Sequence, residues 1–210
     1  MSTASLYRFS GIILLISVGL NLVASIWPFL VDTSLNAPMS ELQSPQWATF
    51  YSLSFIIFVL LLIGLPAMYL RQSGERGGKM GLIGLFLYLV GIFLKMATIA
   101  FFVSVIPLLA KQSPEVIDPI YESNFAIFPL GGMLLCLIGF ILLGSAVIRA
   151  KVYPTFVGVL IIVSALFDVA QVAFQDGTSF AIVNLLFSIS IALALGSVGK
   201  SLASGQKLAG

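Results

Sequence analysis

Residues 81–102, GLIGLFLYLVGIFLKMATIAFF, carry a single charged side chain, that of Lys95. About 20 consecutive apolar residues cross the hydrocarbon core of a bilayer as an α-helix, so this stretch predicts a membrane-spanning helix. Steps of three and four residues from Gly81 define one seam along it: Gly84, Tyr88, Gly91, Lys95 and Thr98. Glycines let a second helix approach closely. We therefore expect the seam to face protein and the side with Phe86 to face lipid.

A charge at this depth calls for a partner. A lone ammonium in the centre of a membrane costs about 2.5–3.5 kcal/mol. Asp168 is the candidate, because it follows Pro154 by 14 residues, just as Lys95 follows Gly81 by 14. At 1.5 Å per residue, both would lie roughly 21 Å along their helices, and at similar depth if the helices are parallel. The alternative is that Asp168, close to Asp176, reaches the membrane interface and has no partner.

The composition is that of an integral membrane protein. The 210 residues are 60% hydrophobic and 9% charged, with a mean hydropathy of +1.13, whereas soluble domains are about 25% charged. The net charge of +2 is too small to predict nucleic-acid binding. The chain has no histidine and one cysteine, Cys136, so it lacks the usual ligands for a metal and the pair needed for a disulfide. We predict no cofactor, no catalytic residues and no enzyme activity.

Hydropathy predicts an all-α, polytopic bundle of six transmembrane helices in a single domain, residues 1–200, followed by a tail at 201–210. The predicted helices cover about 9–30, 46–69, 81–106, 125–148, 154–174 and 180–198. Ser44 and Pro45 supply an N-cap and a first-turn proline for the second helix. Residues 113–115, Ser-Pro-Glu, predict a short interfacial helix before the fourth.

The distribution of charges predicts the orientation. In a six-helix topology, one side carries most of the basic residues with a single acid, Glu75; the bases are Arg8, Arg71, Arg76, Lys79, Arg149, Lys151, Lys200 and Lys207. The opposite side is acidic, with Lys111 as its base; its acids are Asp32, Glu41, Glu115, Asp118, Glu122 and Asp176. Because basic loops remain inside, we expect both termini and the tail to be cytoplasmic.

Polar residues inside the predicted helices mark the candidate site. They would gather in the outer half of the bundle as a pocket or ion pair: Lys95, Asp168, Gln171, Asn21, Ser25 and Asn184. One interpretation is purely structural, an ion pair with interhelical hydrogen bonds worth about 0.6 kcal/mol each. The other is functional, because a lysine and an aspartate there can bind a polar or zwitterionic head group, or exchange a proton during transport.

Three segments carry a resemblance to a known group of proteins: RFSGIILL at 8–15, RQSGERGGKMGLIGLFLY at 71–88 and RAKVYPTFVGVL at 149–160. An arginine opens the first helix, a charged inner loop enters a glycine-rich third helix, and a basic turn precedes a fifth helix begun by proline. In this pattern the chain resembles uncharacterised six-helix membrane proteins of bacteria, which are grouped as domains of unknown function. The resemblance implies a six-helix fold in a bacterial inner (plasma) membrane, and it carries no activity or site.

Two classes of function follow from these features. In the first, the protein is a non-catalytic bundle that binds lipid or another hydrophobic ligand, or serves as an accessory subunit of a membrane complex. Its partners would be membrane lipids, other membrane subunits or a hydrophobic small molecule. In the second, it is a small-solute or proton-coupled transporter or channel that uses Lys95 and Asp168. A continuous hydrated route from the pocket to both faces would favour transport, whereas a closed bundle with broad apolar outer grooves would favour the first class.

Overall fold

The computed structural model describes residues 3–33, 37–73, 78–174 and 177–205. These residues are predominantly helical, and no strand occurs among them. The six long helices are α1 (Thr3–Ala24), α2 (Pro45–Gln72), α3 (Gly78–Ser104), α4 (Ile127–Ala150), α5 (Thr155–Ala173) and α6 (Gly177–Ser204). Each belongs to a segment long and apolar enough to cross a membrane. The predicted all-α, six-helix transmembrane bundle is therefore confirmed.

The ends of α1 and α6 differ from the prediction. Helix α1 ends at Ala24 and not near residue 30, because Pro28 lies in a separate 3-10 turn, Trp27–Phe29. Helix α6 continues to Ser204, so the first four residues of the predicted tail are helical. Leu202 explains the extension, since it is 1% exposed and packs against Gly11 of α1. Residues 206–210 of the predicted tail lie outside the described residues.

The beginning of α2 and the seam of α3 follow the predictions. Ser44 caps α2 by accepting a hydrogen bond from the Trp47 backbone N–H at 3.1 Å, and Pro45 occupies the first turn. On α3 the seam is buried, except that Lys95 keeps part of its surface; the buried members are Gly81, Gly84, Tyr88, Gly91 and Thr98. Phe86, on the other side, is 63% exposed. The glycine-bearing face therefore packs against protein, as expected.

The six long helices form a ring in chain order. The main contacts join each helix to the next one along the chain, and α6 returns to contact α1. This arrangement places Thr3 and Ser204 at one end of the bundle, here called the chain end. The opposite end, called the loop end, carries the longer connections 25–44 and 105–126. Which end faces the cytoplasm stays a prediction, and Arg76, Glu75, Asp176 and Lys207, which entered that prediction, lie outside the described residues.

A cap of short helices covers part of the loop end. It includes Met39–Leu42, Ile106–Gln112 and Ile117–Tyr121, with a 3-10 turn at Pro114–Val116. The predicted short helix after Ser113 is confirmed, although the Ser113 side chain does not cap it. The cap packs around Trp47, which is fully buried in a second apolar cluster. Gln43 Nε2 ties its two connections together by donating a hydrogen bond to the Ala110 carbonyl at 2.9 Å.

Candidate functional site

A cavity of about 250 Å³ lies in the loop-end half of the ring. All six long helices contribute to its wall, from Asn21 on α1 to Phe187 on α6, and Thr33 reaches it from the first connection. Toward the chain end the ring is filled by a packed, predominantly apolar core; Leu14, Leu65, Leu143, Val147 and Leu195 in it are each at most 1% exposed. The cavity is thus partly open in the loop-end half of the bundle and closed toward the chain end.

Lys95 and Asp168 meet across this cavity. The Lys95 Nζ atom lies 2.6 Å from both carboxylate oxygens of Asp168, as a charge-assisted hydrogen-bonded pair. Their side chains keep 20% and 16% of their surfaces exposed, so a molecule in the cavity can reach them. Asp168 therefore has Lys95 as its partner. The alternative that the sequence left open, an Asp168 without a partner, does not occur.

Gly132 on α4 leaves room for the Lys95 side chain to reach Asp168 on α5. A Cβ atom at Gly132 would lie 3.1 Å from Lys95 Cγ and 3.0 Å from the Gly91 carbonyl oxygen. A larger side chain at residue 132 would therefore occupy the space through which the aliphatic stem of Lys95 passes. Because α3 and α4 approach so closely, the ammonium extends past α4 to Asp168 on the far side. The close packing of α3 against α4 thus places the Lys95 ammonium of α3 beside the Asp168 carboxylate of α5.

Aromatic rings form a floor and a roof on either side of the charges. Tyr88 and Phe140 form the floor, with stacked rings whose centroids are 3.7 Å apart. Tyr51 forms the roof with Phe50 and Phe102. Its ring makes edge-to-face contacts with both phenylalanine rings, each at a centroid distance of 5.1 Å. On α3, Lys95 is seven residues from both Tyr88 and Phe102, which corresponds to about 10 Å along the axis in each direction. The charged pair consequently lies midway between two apolar, aromatic walls.

The predicted amides also line the cavity. Asn21, Gln171 and Asn184 all contribute to its wall. The Asn21 Nδ2 atom is buried without a hydrogen-bond partner, and so is the Thr33 hydroxyl oxygen. A buried donor without a partner carries a free-energy cost of about 1–3 kcal/mol, which a bound polar group would relieve. These two groups therefore add unfilled hydrogen-bonding capacity to the site.

Ser25 does not belong to this cavity, contrary to the sequence prediction. It is 1% exposed, and its hydroxyl donates to the Leu22 carbonyl within the same turn at 2.7 Å. The chain turns away from the α-helical path just after Ala24, so a position predicted to lie on a helix face lies at the helix end. A local backbone acceptor satisfies the hydroxyl there, and nothing directs it into the ring.

The sequence prediction missed most of the wall. The missed members include Phe50, Tyr51, Ser54, Phe58, Thr98, Phe102, Met133, Cys136, Phe140 and Phe187. A signal existed for Thr98, which shares the Lys95 seam, and for Cys136, which lies between Gly132 and Gly139 on α4. The phenylalanines gave no such signal, because phenylalanine faces both lipid and protein along this chain; Phe93, for example, is 61% exposed.

Tyr121 joins the cap to the roof of the cavity. Its ring makes an edge contact with Phe102 at a centroid distance of 6.2 Å. Burial, and secondly the nearby Asp118 carboxylate, raises the pKa of Tyr121 to about 12. The phenol is therefore neutral at physiological pH, and it adds no charge to the roof.

The charge of the site is balanced. Lys95 and Asp168 are the charged residues among those described around the cavity, and they cancel one another. Within the described ranges no group of three or more histidine, cysteine, aspartate or glutamate side chains is placed to hold a metal ion. The chemistry that these residues offer is ion pairing, hydrogen bonding through amides and hydroxyls, and contact with aromatic faces. Comparisons with protein-family models, with characterised proteins and with solved structures find no match to this chain.

Proposed function

We propose that this integral membrane protein is non-catalytic and binds a small amphipathic molecule in the cavity of its six-helix ring. The observation that carries the proposal is the composition of the wall. A hydrogen-bonded pair, Lys95 and Asp168, lies between two aromatic surfaces in a space of about 250 Å³. Small-molecule sites are typically apolar and aromatic with a few convergent polar groups, and this cavity has both features.

The closed end of the ring supports binding over conduction. A channel needs a polar route to both faces, but the chain-end half is filled by side chains such as Leu65 and Val147, which are 1% and 0% exposed. The cavity therefore resembles a cup more than a pore. The outer surface of the ring is apolar and supports contact with membrane lipids; Phe86, Phe93 and Leu193 are each more than half exposed.

The location follows as a second part of the proposal. We propose that the protein lies in a bacterial inner membrane with its chain end toward the cytoplasm. The basic loops at that end support the orientation, since Lys79, Lys151 and Lys200 are all exposed there. The resemblance of the three segments to bacterial six-helix proteins supports the choice of membrane.

Purification in a mild detergent tests the binding function. The wild type would be compared with the double variant Lys95→Met, Asp168→Leu, and everything that co-purifies would be identified by mass spectrometry. A matched control, Lys111→Met with Glu115→Leu, also removes one base and one acid, but at exposed positions of the cap. We expect a small amphipathic molecule in near-stoichiometric amount with the wild type and the control, and its loss from the double variant.

Other outcomes identify the competing functions. A protein retained in stoichiometric amount by all three forms, with no small molecule, would indicate an accessory subunit whose charged pair is structural. Uptake of a labelled solute into proteoliposomes, abolished only in the cavity variant, would indicate transport. Either result would contradict the proposed function.

A further inference from the structure

We propose that the molecule bound in this cavity has a zwitterionic head, a quaternary ammonium joined to a phosphate or carboxylate. This inference rests on the proposed binding function and specifies its ligand. The observation behind it is the juxtaposition of one cation, one anion, unpartnered hydrogen-bonding groups and aromatic faces on opposite sides of a single small space.

The charge balance of the wall selects against ligands with net charge. Lys95 and Asp168 neutralise each other, so a bound anion or cation would remain uncompensated in a site enclosed by apolar rings. An uncompensated charge in such an environment is costly, whereas a zwitterion adds equal and opposite charges. The same pair favours a zwitterion over an uncharged head, because each end of the ligand meets an opposite charge.

The lysine side of the pair can accept an additional anion. An ammonium has three N–H donors, and the contacts with Asp168 leave capacity for at least one more acceptor. Asn21 contributes to the same cavity wall, and its buried Nδ2 atom is a second donor without an acceptor. A phosphate or carboxylate beside Lys95 would accept a hydrogen bond from a donor that the protein leaves unused.

The opposite end of the ligand has aromatic and anionic partners. A quaternary ammonium has no N–H, so it binds through ring faces and diffuse attraction to a carboxylate. Tyr88, Tyr51 and Phe102 line the same cavity as the Asp168 carboxylate. A quaternary ammonium in this cavity would have both kinds of partner in the surrounding wall.

A set of probes with one shared tail tests the nature of the head. Dodecylphosphocholine, dodecyl phosphate and dodecyltrimethylammonium would be added separately, below their micellar concentrations, to protein held in dodecyl maltoside. Native mass spectrometry would report how many copies of each probe stay bound. We expect the wild type to retain dodecylphosphocholine at about tenfold lower concentration than either charged probe, the ratio expected when a charged hydrogen bond is lost.

Single variants reverse this preference. Asp168→Asn leaves Lys95 uncompensated and is expected to favour dodecyl phosphate, and Lys95→Met leaves Asp168 uncompensated and is expected to favour dodecyltrimethylammonium. The cap variant Lys111→Met with Glu115→Leu is expected to keep the wild-type order. Because a single variant can fail to fold, the exchanged variant Lys95→Asp with Asp168→Lys, which keeps the pair, is measured as well and should still prefer the zwitterion.

The outcomes separate this inference from the proposed function. Equal or stronger retention of one charged probe by the wild type would overturn the zwitterionic head and leave binding in the cavity intact. Retention of none of the three probes by a folded wild type would overturn the zwitterionic head, and the absence of any co-purifying amphipathic molecule would overturn the proposed function as well. Free phosphocholine and glycine betaine, tested in the same way, distinguish the source: if they compete with dodecylphosphocholine the ligand is a soluble zwitterion, and if they do not it is a lipid head group.

Discussion

At the scale of single residues, the defining feature is an ion pair made by two side chains that are far apart in sequence. Lys95 on α3 and Asp168 on α5 are joined at 2.6 Å inside the transmembrane ring, and each remains partly exposed to the cavity. Each charge compensates the other, and either one alone would be costly in a low-dielectric environment. Removal of one charge should consequently lower the free energy of unfolding more than removal of both.

A double-mutant cycle measures this dependence. Lys95→Met and Asp168→Leu are each expected to lower the free energy of unfolding by about 3 kcal/mol, because each leaves one charge uncompensated. The combined variant should lose less than either single one. The measurement is reversible unfolding in mixed micelles of dodecyl sulfate and dodecyl maltoside. Losses that simply add up would show that the two side chains do not stabilise one another.

The residue scale also shows how far sequence reasoning reaches into the site. Lys95, Asp168 and the three amides were identifiable because a charge or amide inside an apolar helix is costly in hydrocarbon, and so it is expected to face the interior of the bundle. Ser25 was predicted wrongly because its hydroxyl is satisfied by the Leu22 carbonyl of its own turn. The aromatic wall was not identifiable, since a phenylalanine is equally compatible with lipid and with a cavity.

At the scale of helices, glycines set the spacing that creates the site. The α3–α4 contact is so close that a Cβ at Gly91 would lie 2.8 Å from the Gly132 carbonyl oxygen, and one at Gly139 would lie 2.5 Å from the Tyr88 backbone N. These obstacles are backbone atoms, which cannot be displaced by a change of rotamer. The close approach brings the stacked Tyr88 and Phe140 rings together and lets Lys95 pass α4.

Substitution of Gly91 by alanine tests the role of this contact. We expect Gly91→Ala to lower the free energy of unfolding by about 1–3 kcal/mol, because overpacking forces the helices apart. It should also weaken ligand retention, since α3 carries Lys95. Gly19→Ala is the matched control, because nothing lies within 4 Å of a Cβ at that position. The same unfolding assay applies, and equal stabilities of the two variants would contradict the assigned role of Gly91.

At the scale of the whole molecule, the ring has two distinct halves. The chain-end half is a packed, predominantly apolar core, and the loop-end half holds the cavity beneath the cap formed by Met39–Leu42, Ile106–Gln112 and Ile117–Tyr121. Under the proposed function, the ligand enters from the open half of the ring. The orientation of the chain therefore decides from which side of the membrane that ligand would come.

Cysteine labelling measures the orientation in intact bacterial cells. Single cysteines would replace Lys79, Lys151, Lys111 and Thr178, all exposed, in a Cys136→Ser background. We expect a membrane-impermeant thiol reagent to label residues 111 and 178 at the loop end and to spare residues 79 and 151 at the chain end. Permeabilised cells should label all four and serve as the control. The reverse pattern would place the termini outside and contradict the proposed orientation.

The sequence by itself determined the class of the protein and the number of spanning helices, and it offered Asp168 as the candidate partner of Lys95. It could do so because hydrocarbon obliges a chain to satisfy its backbone hydrogen bonds within each helix, so that length and polarity decide the outcome locally. Only the tertiary structure decided that α6 closes the ring against α1, that Ser25 lies off the site, and that aromatic rings enclose the charges. These features depend on how side chains from distant segments fit together, and no local pattern encodes that fit.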